Sequence, residues 1–432
     1  MIFLVLGFVI WLYSIKHLQK SFLWFLVYKV FLVTNINLLS LPGIPILSLD
    51  MSLTLWFFFW IFKRRKTMNL CSRKMPYTRP MIFLFFSYFI STIFAIAGFG
   101  SAFSAYLKDI VNFFLTPWMI WKIVDTEEDF AFVIKRLVIA FMITCIYGLV
   151  ESVIQENPLV AYETTLVTDT TRTVDFRYEI DEFRGYRVQS VFEHPIGAGI
   201  NWAMFAMLMC FIMLQNNKKY FVSQRKKYLA TMLLCFFCML LSNCRGPILF
   251  VLIAFVGLID FKNKKFYYMA VCGLVIGAFL CAIMPENYLN IILSIFNPEY
   301  QNKVGGSNAE MRFEQMAAAL TIVESSPVLG LGYKFSYALN NAYTRALLGL
   351  ESMWLRIIVQ FGMLGVLANI YWAFYSLRVI PKRYKERRIF WFSLAYWVTA
   401  SLTSVPGMLH YLYYFIIFYF IKQKKFACEY KR

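Results

Sequence analysis

Arginines beside breaks in an apolar sequence are the residues best suited to carry chemistry in this chain. Arg184 and Arg187 lie in RGYRVQSVFEHPIGAG, Arg245 lies in SNCRGP, and Arg312 lies in AEMRFEQ. A guanidinium presents a planar fork of donors that matches a phosphate or diphosphate, and it stays charged at any physiological pH. Together these arginines predict a basic pocket for an anionic substrate.

A fourth stretch, ESMWLRIIVQFGMLG, adds a candidate base. Glu351 opens it and is suited to general-base catalysis, as is His194 before Pro195. Arg356 lies five residues into the same apolar stretch, where a charge must find a partner or extend to the membrane boundary. Ser352 and Glu351 are one helical turn away, so Arg356 is expected to line the same pocket.

Each candidate also has a structural interpretation. Arg245 would cap helix-end carbonyls or meet a lipid head group, and the other loop arginines would be solvated surface charges. Glu351 would be favoured in a first helical turn by the helix dipole, and a histidine before proline is often a boundary residue. The sequence leaves both interpretations open.

The sequence lacks the common motifs for binding nucleotides or metal ions, which restricts the reactions that the protein can catalyse. The sequence has no GxxxxGK loop and no Asp-x-Asp pair in the predicted outer loops, so neither ATP nor a metal-dependent glycosyltransferase is indicated. A diphosphate leaving group needs neither, because fixed arginines can stabilise the charge that develops as it departs. We therefore expect no cofactor and no metal.

The elements that position these residues are expected to be membrane helices. The 432 residues are 60% hydrophobic and only 16% charged, which is too apolar for a soluble protein of this size. The net charge of +19 comes from short basic clusters between apolar runs, so it indicates cytoplasmic loops rather than nucleic-acid binding. The predicted fold is an all-α, polytopic, single transmembrane domain over residues 1–432.

About thirteen apolar runs are long enough to cross a bilayer. They cover residues 1–15, 21–41, 44–62, 81–98, 105–124, 132–153, 195–215, 228–242, 246–260, 266–284, 351–377, 389–404 and 407–421. The first run lacks a basic n-region and a cleavage site, so we expect it to be retained. With the first run and the coupled pair around Pro42 and Pro45 the least defined, the prediction is 12 to 13 spans.

Charge sets the orientation of these spans. Most of the 43 Lys and Arg residues fall in loops on one side, which the positive-inside rule makes cytoplasmic, together with the C-terminus. Two longer loops, 155–193 and 285–350, then lie outside, and all four stretches described above share that face. In the second loop, Ser307 and Glu310 form a capping-box pattern that starts a surface helix, and Ser325-Ser326-Pro327 ends it. Gly330 and Gly332 then allow a turn or a close approach.

The nine cysteines predict neither a disulfide framework nor a metal site. Most of them lie inside apolar runs, where a thiol behaves as a small hydrophobic group, and Cys235-x-x-Cys238 has no partner ligands nearby.

Four segments resemble the bacterial O-antigen ligase and polysaccharide polymerase superfamily. They are RVQSVFEHPIGAG, LLSNCRGPILF, MRFEQMAAALTIVESSPVLGLGY and ESMWLRIIVQFGMLG, and they occur in family order from about Tyr147 to Gly365. The chain departs from the family pattern at Glu351, where ligases usually have a His before an Asn. It also departs at Cys244, where Ser is usual, and in the helix of Arg312, which lacks the family's tryptophan.

The resemblance implies a metal-independent membrane glycosyltransferase whose donor is an undecaprenyl-diphosphate-linked glycan. Arg187, Arg245 and Arg312 would contact the diphosphate or glycan, with Arg184 and Arg356 nearby, and Glu351 or His194 would be the base. Glu351 favours a polymerase of capsule, exopolysaccharide or O-antigen repeat units. Expected partners are the lipid-linked oligosaccharide, membrane lipids and other polysaccharide-assembly proteins, at the outer face of the bacterial inner membrane.

Two other functions remain open at this stage. A ligase of the same superfamily would transfer the glycan to another acceptor. A flippase or exporter of lipid-linked sugar would place charges along the middle of several spans, whereas here they gather in the predicted outer loops.

Overall fold

A computed structural model provides the fold. It describes residues 2–32, 37–39, 47–68, 70–166, 185–214, 224–259, 309–335, 352–404 and 407–429, together with 267, 268, 271, 290, 291, 293, 294, 299, 300 and 350. Arg184, Ser307 and Glu351 lie outside the described residues, as does most of the predicted span 266–284.

The described residues are predominantly helical, which confirms the predicted all-α class. In the first half of the chain the helices are α1 Ile2–Lys16, α2 Leu18–Tyr28, α3 Leu49–Lys63, α4 Thr78–Ile93, α5 Phe99–Ile110, α6 Thr116–Ile123, α7 Glu127–Ile154 and α8 Pro158–Leu166. The later helices are α9 Pro195–Leu214, α10 Arg225–Leu241, α11 Arg245–Val256, α12 Ala309–Val323, α13 Met353–Phe374, α14 Ile380–Tyr384, α15 Arg387–Thr403 and α16 His410–Glu429. Short π-helical turns, Val111–Leu115 and Tyr375–Val379, join α5 to α6 and α13 to α14.

The predicted span 21–41 is wrong in its second half. Helix α2 ends at Tyr28, and β1 (Asn37–Leu39) pairs antiparallel with β2 (Leu47–Ser48). The sequence between the two strands contains Pro42, Gly43 and Pro45, residue types that disfavour a continuing helix and are common in turns between strands. Ser48 then caps α3 by accepting a hydrogen bond from the backbone N–H of Met51 at 3.2 Å.

Within the described residues, three helices are long and apolar enough to cross a membrane: Glu127–Ile154, Pro195–Leu214 and Met353–Tyr384. Shorter apolar helices cover Phe3–Lys16, Thr78–Ile93 and Arg245–Val256. The chain is therefore a membrane protein. The count of 12 to 13 spans, the two outer loops and the sidedness stay predictions.

Helix α9 lies at the centre of the packing. Nearly all of its residues are buried, and it packs against α10, α11 and α16. Phe141 of α7 stacks on Phe205 of α9 with ring centroids 4.1 Å apart. One hydrophobic cluster runs from Leu18 in α2 to Ile421 in α16, so the helix that His194 precedes is enclosed by the rest of the bundle.

Helix α13 is broken where the segment before it docks. Gly362 has φ 58° and ψ −159°, outside helical geometry. The backbone N–H groups of Leu331 and Gly332 donate across the break to the carbonyls of Val359 and Gln360, both at 2.8 Å. Backbone groups freed by the break are thus satisfied by a second segment, as a membrane interior requires.

The predicted helix of the second large loop is present as α12. It ends at Val323, which confirms the stop predicted at Ser325. Ala319 and Ile322 are buried in a small cluster with Val359 of α13. Met316 on the same helix is 41% exposed, so α12 is only partly covered by the rest of the protein.

Candidate functional site

The loop that carries Arg187 is held against the end of α7. Glu151 accepts hydrogen bonds from the Tyr186 hydroxyl at 3.0 Å and from the backbone N–H groups of Gln189 and Ser190 at 3.1 and 2.6 Å. The Asn157 side chain donates to the Ser190 carbonyl at 2.8 Å. These bonds fix the backbone on both sides of Arg187.

The same loop contacts the break that carries Arg245. The Asn243 side chain donates to the Tyr186 carbonyl at 3.0 Å, and Arg187 Nη2 donates to Cys244 Sγ at 2.9 Å. Cys244 is buried and is the N-cap residue of α11, whose first residue is the half-buried Arg245. Two of the predicted site arginines therefore lie on adjoining segments.

His194 is the N-cap residue of α9. Its Nδ1 accepts a hydrogen bond from the backbone N–H of Ile196 at 3.1 Å, with Pro195 at the first helical position. Burial, with a contribution from the nearby positive charge of Arg187, lowers the pKa of His194 to about 4. The imidazole is thus neutral at physiological pH, and its capping bond assigns the ring proton to Nε2.

Arg312 and the start of α11 meet at the carboxyl end of α15. Arg312 Nη2 donates to the carbonyl of Leu402 at 3.2 Å. Gly246 lies so close to Thr403 that a Cβ at position 246 would be 2.9 Å from Thr403 Cγ2. Arg312 therefore caps a helix that also packs against the residue following Arg245.

The other two motifs lie at the same helix end or beside it. Trp354, near the start of α13, donates from Nε1 to Ser401 Oγ at 2.8 Å. Beyond α15, Asn201 of α9 bonds to the turn before α16, donating to the carbonyl of Gly407 at 3.2 Å. A Cβ on Gly407 would lie 3.3 Å from the backbone nitrogen of His194. Three of the sequence motifs thus contact the end of α15, and the motif with His194 lies against Gly407 in the turn before α16.

Arg356 has an acidic neighbour from another part of the chain. Asp109, at the end of α5, interacts electrostatically with Arg356 and accepts a hydrogen bond from the Tyr333 hydroxyl at 2.7 Å. Tyr333 belongs to the segment that docks at the break in α13. Asp109 carries the opposite charge, but Arg356 is itself exposed, so the expectation that it must find a partner stays a prediction.

Sequence reasoning missed several residues that build this arrangement. Glu151, Asn157 and Asn243 were not singled out, because a polar residue at the edge of an apolar run also suits a solvated helix end. No feature of the sequence indicated the roles of Ser401 and Leu402. Leu402 contributes only its backbone carbonyl and Ser401 only a small hydroxyl, both at the end of an otherwise apolar span. Asp109 did carry a signal, as a carboxylate inside the predicted span 105–124.

The arrangement provides cationic groups and polar backbone at one end of the bundle. Among the described residues, no three His, Cys, Asp or Glu side chains form a group that could hold a metal ion. The guanidinium groups of Arg187, Arg245 and Arg312 can donate to an anion, and Arg187 and Arg312 already donate to protein atoms that position them.

Comparison with known proteins bears on the later part of this site. Residues 230–370 match the sequence model of the Wzy_C family, described as O-antigen ligase. The match includes Arg245, Arg312 and Arg356, whereas Arg187, His194 and the end of α15 lie outside it. No curated protein matches the chain. Residues 230–370 are therefore similar to the O-antigen ligase family, the same family that the sequence motifs resemble.

Proposed function

We propose that this protein joins lipid-linked oligosaccharide repeat units into a polysaccharide at the outer face of the bacterial inner membrane. Two contacts support the proposal, in a chain that matches the O-antigen ligase family model over residues 230–370: Arg187 bonds to Cys244, the neighbour of Arg245, and Arg312 bonds to the end of α15, against which Gly246 also packs. Fixed guanidinium groups suit a diphosphate that gains negative charge as it leaves.

In the proposed reaction, a sugar hydroxyl of one lipid-linked unit attacks the anomeric carbon of a second. A carbon–oxygen bond forms to the acceptor hydroxyl, and the bond between the anomeric carbon and the diphosphate oxygen breaks. The lipid diphosphate, undecaprenyl diphosphate by family resemblance, departs with the electron pair. Neither ATP nor a metal ion enters this scheme.

The proposed roles follow from the residue types and the family resemblance. Arg187 and Arg245 bind the diphosphate, Arg312 assists at the diphosphate or glycan, and Arg184 and Arg356 extend the basic surface. Glu351 takes the hydroxyl proton. His194 is the alternative base, although its Nδ1 is engaged in capping α9. A base role for His194 would therefore require that bond to break or the tautomer to change.

Proteoliposomes that contain the purified full-length protein test the proposal. Supplied with a polyprenyl-diphosphate-linked repeat unit, the wild type should produce a ladder of longer lipid-linked chains and release polyprenyl diphosphate. Arg245→Ala should abolish the ladder while the protein remains in the membrane. Arg65→Ala, which removes an exposed arginine in another basic cluster, should not. A normal ladder from Arg245→Ala would refute the role of Arg245.

Two alternatives have distinct products in the same assay. A ligase would leave the repeat unit unextended and transfer finished glycan to another acceptor. A flippase or exporter would move the intact lipid-linked unit across the bilayer without releasing polyprenyl diphosphate. The family match favours glycan transfer over transport.

A further inference from the structure

Glu151 is a buried carboxylate that accepts three hydrogen bonds from one loop. Its side chain is fully buried near the carboxyl end of α7. Oε1 accepts from the Tyr186 hydroxyl and the Gln189 N–H, and Oε2 accepts from the Ser190 N–H at 2.6 Å. These three partners are neutral, so hydrogen bonds to this loop offset the loss of hydration that burial imposes on the carboxyl group.

The bonds hold the loop in a conformation it would not adopt readily by itself. Ser190 has φ 57°, in the left-handed region that costs a residue with a Cβ on the order of 1 kcal/mol or more. Its hydroxyl also donates to the Thr144 carbonyl at 2.7 Å, and its own carbonyl accepts from Asn157. Glu151 and these two groups together fix the backbone immediately after Arg187.

The side chain of Arg187 extends from this fixed loop to the other side of the site. On that side it donates a hydrogen bond to Cys244 Sγ. The Asn243 side chain donates to the carbonyl of Tyr186, the residue before Arg187. The loop is thus clamped between α7 and the N-terminus of α11. Displacing it by about 1 Å would be enough to misplace a substrate-positioning guanidinium.

We infer that Glu151 is a positioning residue for Arg187, which holds the arginine loop against the start of α11 so that Arg187 and Arg245 act on one anionic group. This inference rests on the proposed function and adds to it a residue outside the family match. Glu151 touches no substrate in this account, and its effect on the reaction passes through Arg187.

A double-mutant cycle in the proteoliposome assay tests the coupling. Glu151→Gln should lower kcat/KM for the lipid-linked unit by about tenfold or more in the wild-type background, and by less than about twofold in the Arg187→Ala background. Ser152→Ala is the matched control on the same helix, since the Ser152 hydroxyl bonds within α7, to the Leu149 carbonyl. It should leave kcat/KM unchanged in both backgrounds.

The outcomes of the double-mutant cycle separate the role of Glu151 from that of Arg187. Equal losses from Glu151→Gln in both backgrounds would overturn it and leave the proposed function standing. Full activity of Arg187→Ala would remove Arg187 from the reaction and overturn the inference together with that part of the proposed function.

A second measurement does not depend on activity. Cys244 contacts the Arg187 side chain and is only 4% exposed, so release of the loop that carries Arg187 should expose the Cys244 thiol. In purified full-length Glu151→Ala, a small uncharged maleimide should label Cys244 about tenfold faster than in the wild type. Cys145, Cys210, Cys235 and Cys238, buried in the helices, should stay protected and so report that the bundle remains folded.

Asp50→Asn serves as the control for general destabilisation. It removes the buried ion pair between Lys29 and Asp50, at a distance from the arginine loop in the sequence. This variant should lose stability without faster labelling of Cys244. Unchanged labelling of Cys244 in Glu151→Ala, or labelling of all five cysteines together, would overturn the positioning role.

Discussion

Arg312 donates a hydrogen bond to the carbonyl oxygen of Leu402, 3.2 Å away, and thereby joins α12 to the carboxyl end of α15. Leu402 lies beyond residue 370, so this bond connects the segment that matches the family model with a helix outside that segment. A cation at the last carbonyls of a helix gains from the helix dipole as well as from the hydrogen bond. The contact therefore positions Arg312 and stabilises the helix end around which the site is arranged.

Replacing Arg312 should affect stability as well as activity. Arg312→Ala removes the bond to Leu402 and should lower the free energy of unfolding by about 1 to 2 kcal/mol, with loss of polymer. Arg312→Lys keeps the charge and should fall between Ala and the wild type. Thermal unfolding in detergent and product ladders measure both effects. Thr321→Ala, an exposed change on the same helix, is the control, and an Arg312→Ala protein as stable as the wild type would contradict the capping contact.

Cys244 should tolerate serine but not an apolar residue. Its Sγ accepts from Arg187 and donates to the Ser242 carbonyl at 3.0 Å, and a serine hydroxyl can make both bonds. Cys244→Ser should retain polymerisation within about twofold, whereas Cys244→Val should lose about tenfold by leaving the guanidinium without this acceptor. Initial rates at matched membrane protein levels provide the comparison. Equal activity of the two variants would show that the bond to Arg187 does not matter.

The low pKa of His194 predicts a pH dependence of stability. In the folded protein His194 stays neutral down to about pH 4, whereas an ordinary histidine in the unfolded chain takes up a proton below about pH 6.5. Between these values the unfolded state binds more protons, so the free energy of unfolding should fall as the pH is lowered from 6.5 towards 4.

The variant His194→Asn isolates this effect. Asparagine is a favourable N-cap residue and does not titrate, so the variant should keep α9 capped and lose that component of the pH dependence. Thermal midpoints of both proteins between pH 7 and 4.5 measure the difference. Because we propose Glu351 as the base, His194→Asn should still polymerise at neutral pH. Parallel stability profiles would contradict the pKa of His194, and complete loss of activity would make it the base.

Gly362 should not accept a side chain. It has φ 58°, and a Cβ at this position would lie 2.4 Å from the carbonyl oxygen of Val328. Gly362→Ala should therefore displace the docked segment and destabilise the protein by about 2 kcal/mol or more. Gly100→Ala is the matched control, because nothing lies within 4 Å of the added atom there. Folded yield after detergent extraction compares them, and wild-type yield from Gly362→Ala would argue against the break in α13.

The sequence was sufficient to predict the all-α class and most of the described helices. Apolar run length predicted most helices, because burying or embedding such runs leaves few other choices for the backbone. Pro42, Gly43 and Pro45 indicated that no helix continues through residues 42–45. The pairing of the two short strands beside them was not predictable, because no local pattern specifies which strands pair. The end of α12 at Val323 followed from Ser325-Ser326-Pro327.

What joins the segments was not predictable in the same way. The bonds from Arg187 to Cys244 and from Arg312 to Leu402 connect residues 57 and 90 positions apart in the chain. Such contacts arise from tertiary packing, and a backbone carbonyl such as that of Leu402 has no sequence signature. The role of Glu151 was not predictable for a related reason. Its hydrogen-bond donors lie in a loop that is distant in sequence and is brought to α7 by the fold.

Deleting the gene from its host and measuring the size and sidedness of the lipid-linked glycan that accumulates tests the assignment as a polymerase. Loss of a polymerase should leave single repeat units on the outer face of the membrane, because they are delivered there and cannot be joined. Single units held on the cytoplasmic face would indicate a lost transporter. Full-length lipid-linked polymer outside, left unattached, would indicate a lost ligase. Either of these last two results would contradict the polymerase assignment.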